Sequence, residues 1–369
     1  MMTRFDTCIA GYYGMKNSGD DALLAATAWG AQTYLHARQL TVTTQADVRV
    51  NQKLTFAATL ATAQRFRAQH RLQRYAQAIQ AQRVIFGGGS VFHNEQDINV
   101  KRHMMMIAGN NNHLALGVGL GPFANVAAEK ACAKFLNSCS FVGLRDQQSY
   151  QMATALAPAA NVKLTFDLAP LLLCNADASI AMPQRQHRAG IAVCLCPKER
   201  LSGNPQAEQR RIERLAQALT AVHNLSGETI YLVNLNGHPS LGDRQVHLQL
   251  QQCLGPQVPV QMVEYNADPQ QVLRSLAAFK VVISMRLHGS ILAYLAETPV
   301  VSLNYHSKCE GWCDQVGMAP ELRFNATDVD PAQLTKVMLQ GLEHGFTQSQ
   351  LCRAEAIAAA KQNWSCNYG

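Results

Sequence analysis

At 369 residues the chain is too long for one ordinary small core. With 48% apolar and 15% charged residues and no Ser/Gly linker or single-residue tract, its composition excludes a disordered protein and predicts two α/β domains with a cleft between them. A formal charge of +7 favours anionic partners without choosing among a small phosphate, a lipid diphosphate and nucleic acid.

The opening Met1-Met2-Thr3-Arg4-Phe5-Asp6 leads into an apolar run too short for a secretory core. No later stretch reaches the roughly 20 apolar residues that span a bilayer, so a cytoplasmic location is expected. The eleven cysteines lack a C-x-x-C pair and lie mostly in apolar segments, as Cys132, Cys139 and Cys174 do, which predicts reduced core residues. Cys194 with Cys196 on a strand, and Cys309 with Cys313 in a loop, lack further ligands, so no metal is expected.

Along the chain, β-rich runs at 7–11, 84–87, 114–118, 141–144 and 163–166 each end in Gly or a polar turn and lead into a helical pattern, the rhythm of a parallel sheet. The first run delivers Gly11-Tyr12-Tyr13-Gly14-Met15-Lys16-Asn17-Ser18-Gly19-Asp20-Asp21 to a helix beginning near Ala22. No Lys-Ser/Thr pair follows its last glycine, and two carboxylates already complement the helix dipole, so it is not a phosphate-cradling loop. Nor does it carry the G-x-G-x-x-G of a dinucleotide oxidoreductase. Asn17, Asp20 and Asp21 suit sugar hydroxyls, with Asp20 as a plain helix cap the equal alternative. Arg65, Arg67, His70, Arg71, Arg74 and Arg83 follow on or beside a helix that also holds Phe66, Leu72, Tyr75 and Ile79. This is a solvated outer helix or, more sharply, a contact with a membrane surface or lipid phosphate.

Gly87-Gly88-Gly89-Ser90 and Gly117-Val118-Gly119-Leu120-Gly121-Pro122 end two strands, where glycines bring backbone amides close to a ligand or simply turn the chain. Arg145, before Asp146, stands at another strand end, placed to grip a carboxylate or phosphate in two-pronged fashion or to form a salt bridge. Asp167 is expected to orient it. A polar break at 175–189 separates this domain from a second series of strands at 190–196, 229–235, 260–263, 281–284 and 300–303, with helices at 208–219 and 268–279 between them. Within Ser284-Met285-Arg286-Leu287-His288-Gly289-Ser290, alternation puts Arg286 and His288 on one strand face. Gly289 then opens the helix 290–296, whose first amides complete an anion site with a titratable group. A core histidine is the plain alternative. The next strand brings Lys308 to the same edge, and the loop continues through Trp312, which stacks on a sugar or anchors the loop. Two helices are expected between about 331 and 363.

The expected architecture is α/β, two Rossmann-like domains of the glycosyltransferase-B type. Residues 1–180 form the acceptor side, 188–345 the donor side and 346–369 a C-terminal helical tail.

The ordered set GYYGMKNSGDDALL, IFGGGSVF, GVGLGPF, GLRDQQSY, TFDLAPLL and SMRLHGSILAYLAETPVV, leading to Lys308, resembles the polysaccharide pyruvyltransferase family over most of the chain. The resemblance implies phosphoenolpyruvate as co-substrate with no other cofactor and a saccharide acceptor, often lipid-linked. It implies no nucleic-acid partner, and work in the cytoplasm that extends to the inner membrane face. By position, Arg145, His288 and Lys308 carry the catalytic roles. Arg286, Gly289, Ser290, Gly88 and Gly89 then fall on the donor, and Asn17, Asp20, Asp21 and Trp312 on the acceptor. A nucleotide-sugar glycosyltransferase and a non-catalytic sugar- or phosphate-binding protein are the competing readings.

Overall fold

Short buried runs alternate with capped helices throughout residues 4–44, 66–89, 92–174 and 187–365, which the computed structural model describes. In chain order the elements are β1 (Phe5–Tyr13), α1 (Ser18–Leu35), β2 (Leu40–Thr44), α2 (Gln69–Ala78), β3 (Ala81–Gly89), α3 (Glu95–Ile107), β4 (Leu114–Val118), α4 (Val126–Ser138), β5 (Phe141–Leu144), α5 (Gln147–Leu156) and β6 (Val162–Leu164). The second series is β7 (Ile191–Cys194), α6 (Lys198–Leu201), α7 (Pro205–Ser226), β8 (Ile230–Val233), α8 (Arg244–Leu254), β9 (Val260–Val263), α9 (Pro269–Ala277), β10 (Val281–Ser284), α10 (Leu287–Leu295), β11 (Val300–Asn304), α11 (Ser307–Gln315), β12 (Arg323–Asn325), α12 (Pro331–His344) and α13 (Arg353–Lys361). Asn94, Asn125, Asp146, Asn204, Asp268 and Asp330 start six of these helices, each side chain accepting from an amide of the first turn.

The strands form two six-stranded sheets, ordered β2-β1-β3-β4-β5-β6 and β12-β11-β10-β7-β8-β9, and the pairings are parallel. Strands β4 and β10 are buried along their whole length, as expected of parallel sheets covered on both faces. Strand order reverses between β1 and β3 in the first sheet and between β7 and β10 in the second. The carboxyl ends at such reversals are where open α/β sheets bind ligands. In the first unit Phe86 and Phe92 close on Phe135, with ring centroids 5.0 and 4.6 Å away. No helix among the described residues is long and apolar enough to cross a membrane.

Two strands go beyond the sequence reading. Strand β2 (LTVTT) is fully buried although three of its five residues are threonine, and β12 is only three residues long. Both are held by pairing, Thr7 opposite Leu40 and Ser302 opposite Arg323.

The chain divides into one unit of Met1–Met15, Asp20–Asn175 and Ala354–Gly369 and another of Lys16–Gly19 and Ala176–Arg353. The expected separate tail from 346 is therefore shared out, and most of it completes the first unit. There Trp364 stacks on Tyr34 at 5.7 Å. The Asn363 side chain, fully buried, accepts from the Gly117 amide (2.7 Å) and the Thr165 hydroxyl (2.8 Å) and donates to the Phe166 carbonyl (2.9 Å).

Candidate active site

Strand β10 ends at Ser284, whose hydroxyl donates to the Arg286 carbonyl (2.8 Å), and α10 opens at Leu287 with Arg286 as its N-cap residue. A Cβ on Gly289 would lie 2.4 Å from Ser284 Oγ and 2.8 Å from Leu235, so glycine lets the helix sit on the strand end. The expected common strand face for Arg286 and His288 is thus replaced by a helix start three residues early. His288 stands in the first turn of α10. The Ser290 amide donates to the Arg286 carbonyl (3.0 Å) and its side chain is buried, which corrects its expected place on the donor.

Arg286 turns onto Asp243. Its Nε donates to both carboxylate oxygens (2.8 and 2.9 Å), and its Nη2 also contacts Oδ1. Asp243 is fully buried and accepts the Leu235 and Asn236 amides at 3.0 and 2.8 Å. Burial pushes the Asp243 carboxyl up, while the Arg286 guanidinium and the two amides oppose it. That carboxylate in turn raises Arg286 against its own desolvation. Four donors aimed at one carboxyl group require the ionised form. Below the pair, the Leu195 amide donates to His247 Nε2 (3.0 Å), so the proton sits on Nδ1 and is donated to Asn234 Oδ1 (2.7 Å). Burial, reinforced by the Arg286 charge, lowers His247 to about 3.

The loop Lys16–Gly19 belongs to this second unit. The Ser18 amide donates to the Leu235 carbonyl (2.9 Å) and the Gly237 amide to the Lys16 carbonyl (2.8 Å), and Asn17 bridges Asn236. Gly19 lies against His288, since a Cβ there would be 2.4 Å from Nδ1. Asn17, His288 and Arg286 are therefore brought together through the segment 235–236 and Asp243.

Lys308 lies in the first turn of α11, whose N-cap His306 accepts its amide through Nδ1 (3.2 Å). The Lys308 ammonium stands over the Tyr305 ring, 5.6 Å from its centroid. Burial raises the Tyr305 phenol, with nearby Cys196 and Cys309 adding to the shift. Trp312 is 4% exposed within α11 and meets Tyr294 edge to face at 6.1 Å, so it anchors this helix and is not offered to a sugar. Cys309 and Cys313 also lie in α11 instead of a loop, and burial pushes Cys309 up to about 12.

In the first unit, Arg145 is 5% exposed at the end of β5. Its Nε is 3.6 Å from Asp146 and its Nη1 3.4 Å from Asp167. Asp146 also caps α5 through the Ser149 amide (2.7 Å), and Asp167 accepts the Ala169 amide (2.9 Å). Gly88 and Gly89 have φ of +76° and +83°, and a Cβ on Gly88 would lie 2.7 Å from Leu23, so the close approach here is by helix α1. Ser90 lies outside the described residues. Helix α1 begins at Ser18 instead of near Ala22, which puts Asp20 and Asp21 in its first turn. Asp21 is buried, which removes it from the acceptor set, and Asp20 is half-buried.

The family model for polysaccharide pyruvyl transferase matches residues 17–307. The chain belongs to this family. It is accordingly a transferase enzyme, and the family implies a polysaccharide acceptor. No curated protein matches the sequence. Among solved structures, the chain is similar to UDP-GlcNAc 2-epimerase from Neisseria meningitidis bound to UDP-GlcNAc (TM-score 0.62, 9% identity, 96% of this chain and 97% of that one). It is also similar to UDP-GlcNAc 2-epimerase from Methanocaldococcus jannaschii (0.62, 8%, 96% and 97%). An α,α-trehalose-phosphate synthase (UDP-forming) from Burkholderia vietnamiensis is a further neighbour (0.54, 12%, 98% and 94%). At these identities the likeness establishes the glycosyltransferase-B fold.

Sequence reasoning missed two residues that organise this transferase's second sheet edge, Asp243 and His247. Asp243 directly precedes α8 and reads as a helix cap, yet its side chain caps nothing and holds Arg286. A cavity of about 600 Å³ lined by Arg188, Lys280, Pro299 and Phe346 opens at the amino ends of β7, β10 and β11, away from this edge. Its cations are engaged elsewhere, Arg188 by the Glu297 and Ala296 carbonyls and Lys280 by Glu228.

Proposed function

We propose that this transferase takes pyruvate from phosphoenolpyruvate and installs it on two hydroxyls of an envelope or exopolysaccharide saccharide as a cyclic ketal, with no other cofactor. The observation that carries the reading is the meeting of two helix amino ends with basic side chains at one edge, where Arg286 is held in place by Asp243. Arg286 and Lys308 sit at the amino ends of α10 and α11, which follow the paired strands β10 and β11, with His288 between them in sequence. Helix amino ends and cations together favour a small, highly charged anion. Arg286 and Lys308 hold the carboxylate and phosphate.

His288 then gives a proton to C3 of the enol, which makes C2 an oxocarbenium-like centre. One sugar hydroxyl adds to C2 and loses its proton. The second displaces inorganic phosphate, which carries off that hydroxyl's proton as the C2–O bond breaks and the ketal closes, while the proton of the first hydroxyl restores His288. Asn17, close to His288 through Gly19, contacts the acceptor in this reading.

The test is thermal stabilisation of the protein by phosphoenolpyruvate against a panel of nucleotide sugars, in wild type and Lys308→Ala, followed by acceptor-dependent phosphate release. Stabilisation by phosphoenolpyruvate alone, lost in the variant, supports the donor site. Stabilisation only by a nucleotide sugar overturns the reading in favour of a glycosyltransferase.

A further inference from the structure

The net charge of the chain is concentrated in one stretch. Residues 48–94 hold seven Lys or Arg and no Asp or Glu, so they account for the whole formal charge of +7, and the remaining basic and acidic residues balance. The described part of that stretch includes α2. There Phe66, Leu72 and Ile79 are 55%, 51% and 42% exposed, with Arg67, Arg71 and Ala76 exposed beside them. Leu72, Ala76 and Ile79 recur at i, i+4 and i+7, which is one helix face. The opposite side is occupied: Ala78 is buried, the Tyr75 hydroxyl hydrogen-bonds His103 Nδ1 at 2.9 Å, and Arg74 reaches Asp97 at 4.0 Å.

We propose that the outer face of α2 docks on an anionic bilayer surface, with the helix lying flat, Phe66, Leu72 and Ile79 entering the headgroup boundary and Arg67 and Arg71 meeting the lipid anions. Exposed apolar side chains on that face, with exposed arginines at its flank and in the turn before the helix, match an interfacial helix. A nucleic-acid backbone would use the arginines and leave three exposed apolar groups without a role. The docking also has a direction. Helix α2 runs back to the start of β3, so its amino end, with Arg67 and His70, lies at the carboxyl edge of the first sheet, where the Arg74 charge acts on Tyr12. A lipid-borne saccharide acceptor would reach that edge without leaving the bilayer, a consequence that rests on the pyruvyl-transfer reading.

The experiment is co-sedimentation of the full chain at low salt with vesicles of equal phosphatidylglycerol and phosphatidylcholine, and with phosphatidylcholine alone. Binding only to the anionic vesicles is expected. It should weaken by roughly tenfold or more in Arg67→Gln/Arg71→Gln and severalfold in Leu72→Gln/Ile79→Gln, with unchanged melting and unchanged turnover of a water-soluble acceptor. Absence of binding to anionic vesicles overturns the proposal. So does binding that the apolar pair does not affect and that an oligonucleotide competes away, since that marks a general polyanion surface. Loss of phosphoenolpyruvate turnover with vesicle binding intact would fail the pyruvyl-transfer reading and leave the docking face standing.

Discussion

At the carboxyl edge of the first sheet the chain turns on glycines, Gly88, Gly89, Gly117 and Gly121 all holding positive φ, and its one committed cation, Arg145, is clamped between Asp146 and Asp167. At the corresponding edge of the second sheet the turns are made by charged and titratable side chains, with Asp243, Arg286, His288 and Lys308 on three neighbouring elements. Glycine there lets α10 sit on β10 at Gly289 and lets the loop before Asp243 close at Gly242. The first edge is shaped by backbone and close helix packing, the second by charge. Substitutions at the first should therefore register mainly in stability, and at His288 and Lys308 of the second mainly in turnover.

The strongest way to break that contrast is His288→Ala, for which kcat should fall by about 10²–10⁴ with melting little changed. Near-normal turnover with weakened phosphoenolpyruvate binding would make His288 a ligand and not the acid. Asp243→Asn tests whether the charged edge also carries stability. Removing one partner of a buried ion pair strands the other, so urea unfolding should show a loss of about 3–5 kcal/mol. In the first unit, Asn363→Ala leaves the Gly117 amide, the Thr165 hydroxyl and the Phe166 carbonyl short of a partner. A loss of about 2 kcal/mol is expected, with phosphoenolpyruvate binding retained.

The smallest effect sharpens the comparison through pH. Each unit buries a histidine that accepts a strand amide: His113 takes Val84 N–H (3.1 Å) and His247 takes Leu195 N–H (3.0 Å). Burial lowers them to about 4 and about 3. Below the ordinary histidine value of about 6.5 the unfolded chain binds protons that the folded units refuse. The stability they confer is complete above that value and drains away toward pH 4 in the first unit and pH 3 in the second, by at most about 1.4 kcal/mol per pH unit for each. His247→Gln should flatten its part of the slope between pH 6 and 4 in urea unfolding.

The parallel sheets were legible because most of their strands are buried apolar runs ending in Gly or polar turns, a signal that needs no partner to be seen. Strand β2 carried too many threonines and β12 too few residues, and both exist through pairing alone. The strand-loop-helix punctuation located the site loops, yet their local geometry escaped. Counting by two along a strand cannot reveal that Ser284 bonds the Arg286 carbonyl and starts α10 early. Asp243 was hidden for another reason: its partner lies 43 residues away, and a lone Asp before a helix has a simpler local explanation.

Asn363 fills the gap among Gly117, Thr165 and Phe166, and Trp364 lies on Tyr34, so the first unit is finished by residues that follow the whole of the second in the chain. While the ribosome makes the second unit, the ends of β4 and β6 wait with polar groups that have no partner yet. The usual order, in which an amino-terminal domain is complete before the next one emerges, is reversed here in its final step. Any change that displaces residues 354–365 would be felt in the unit built first.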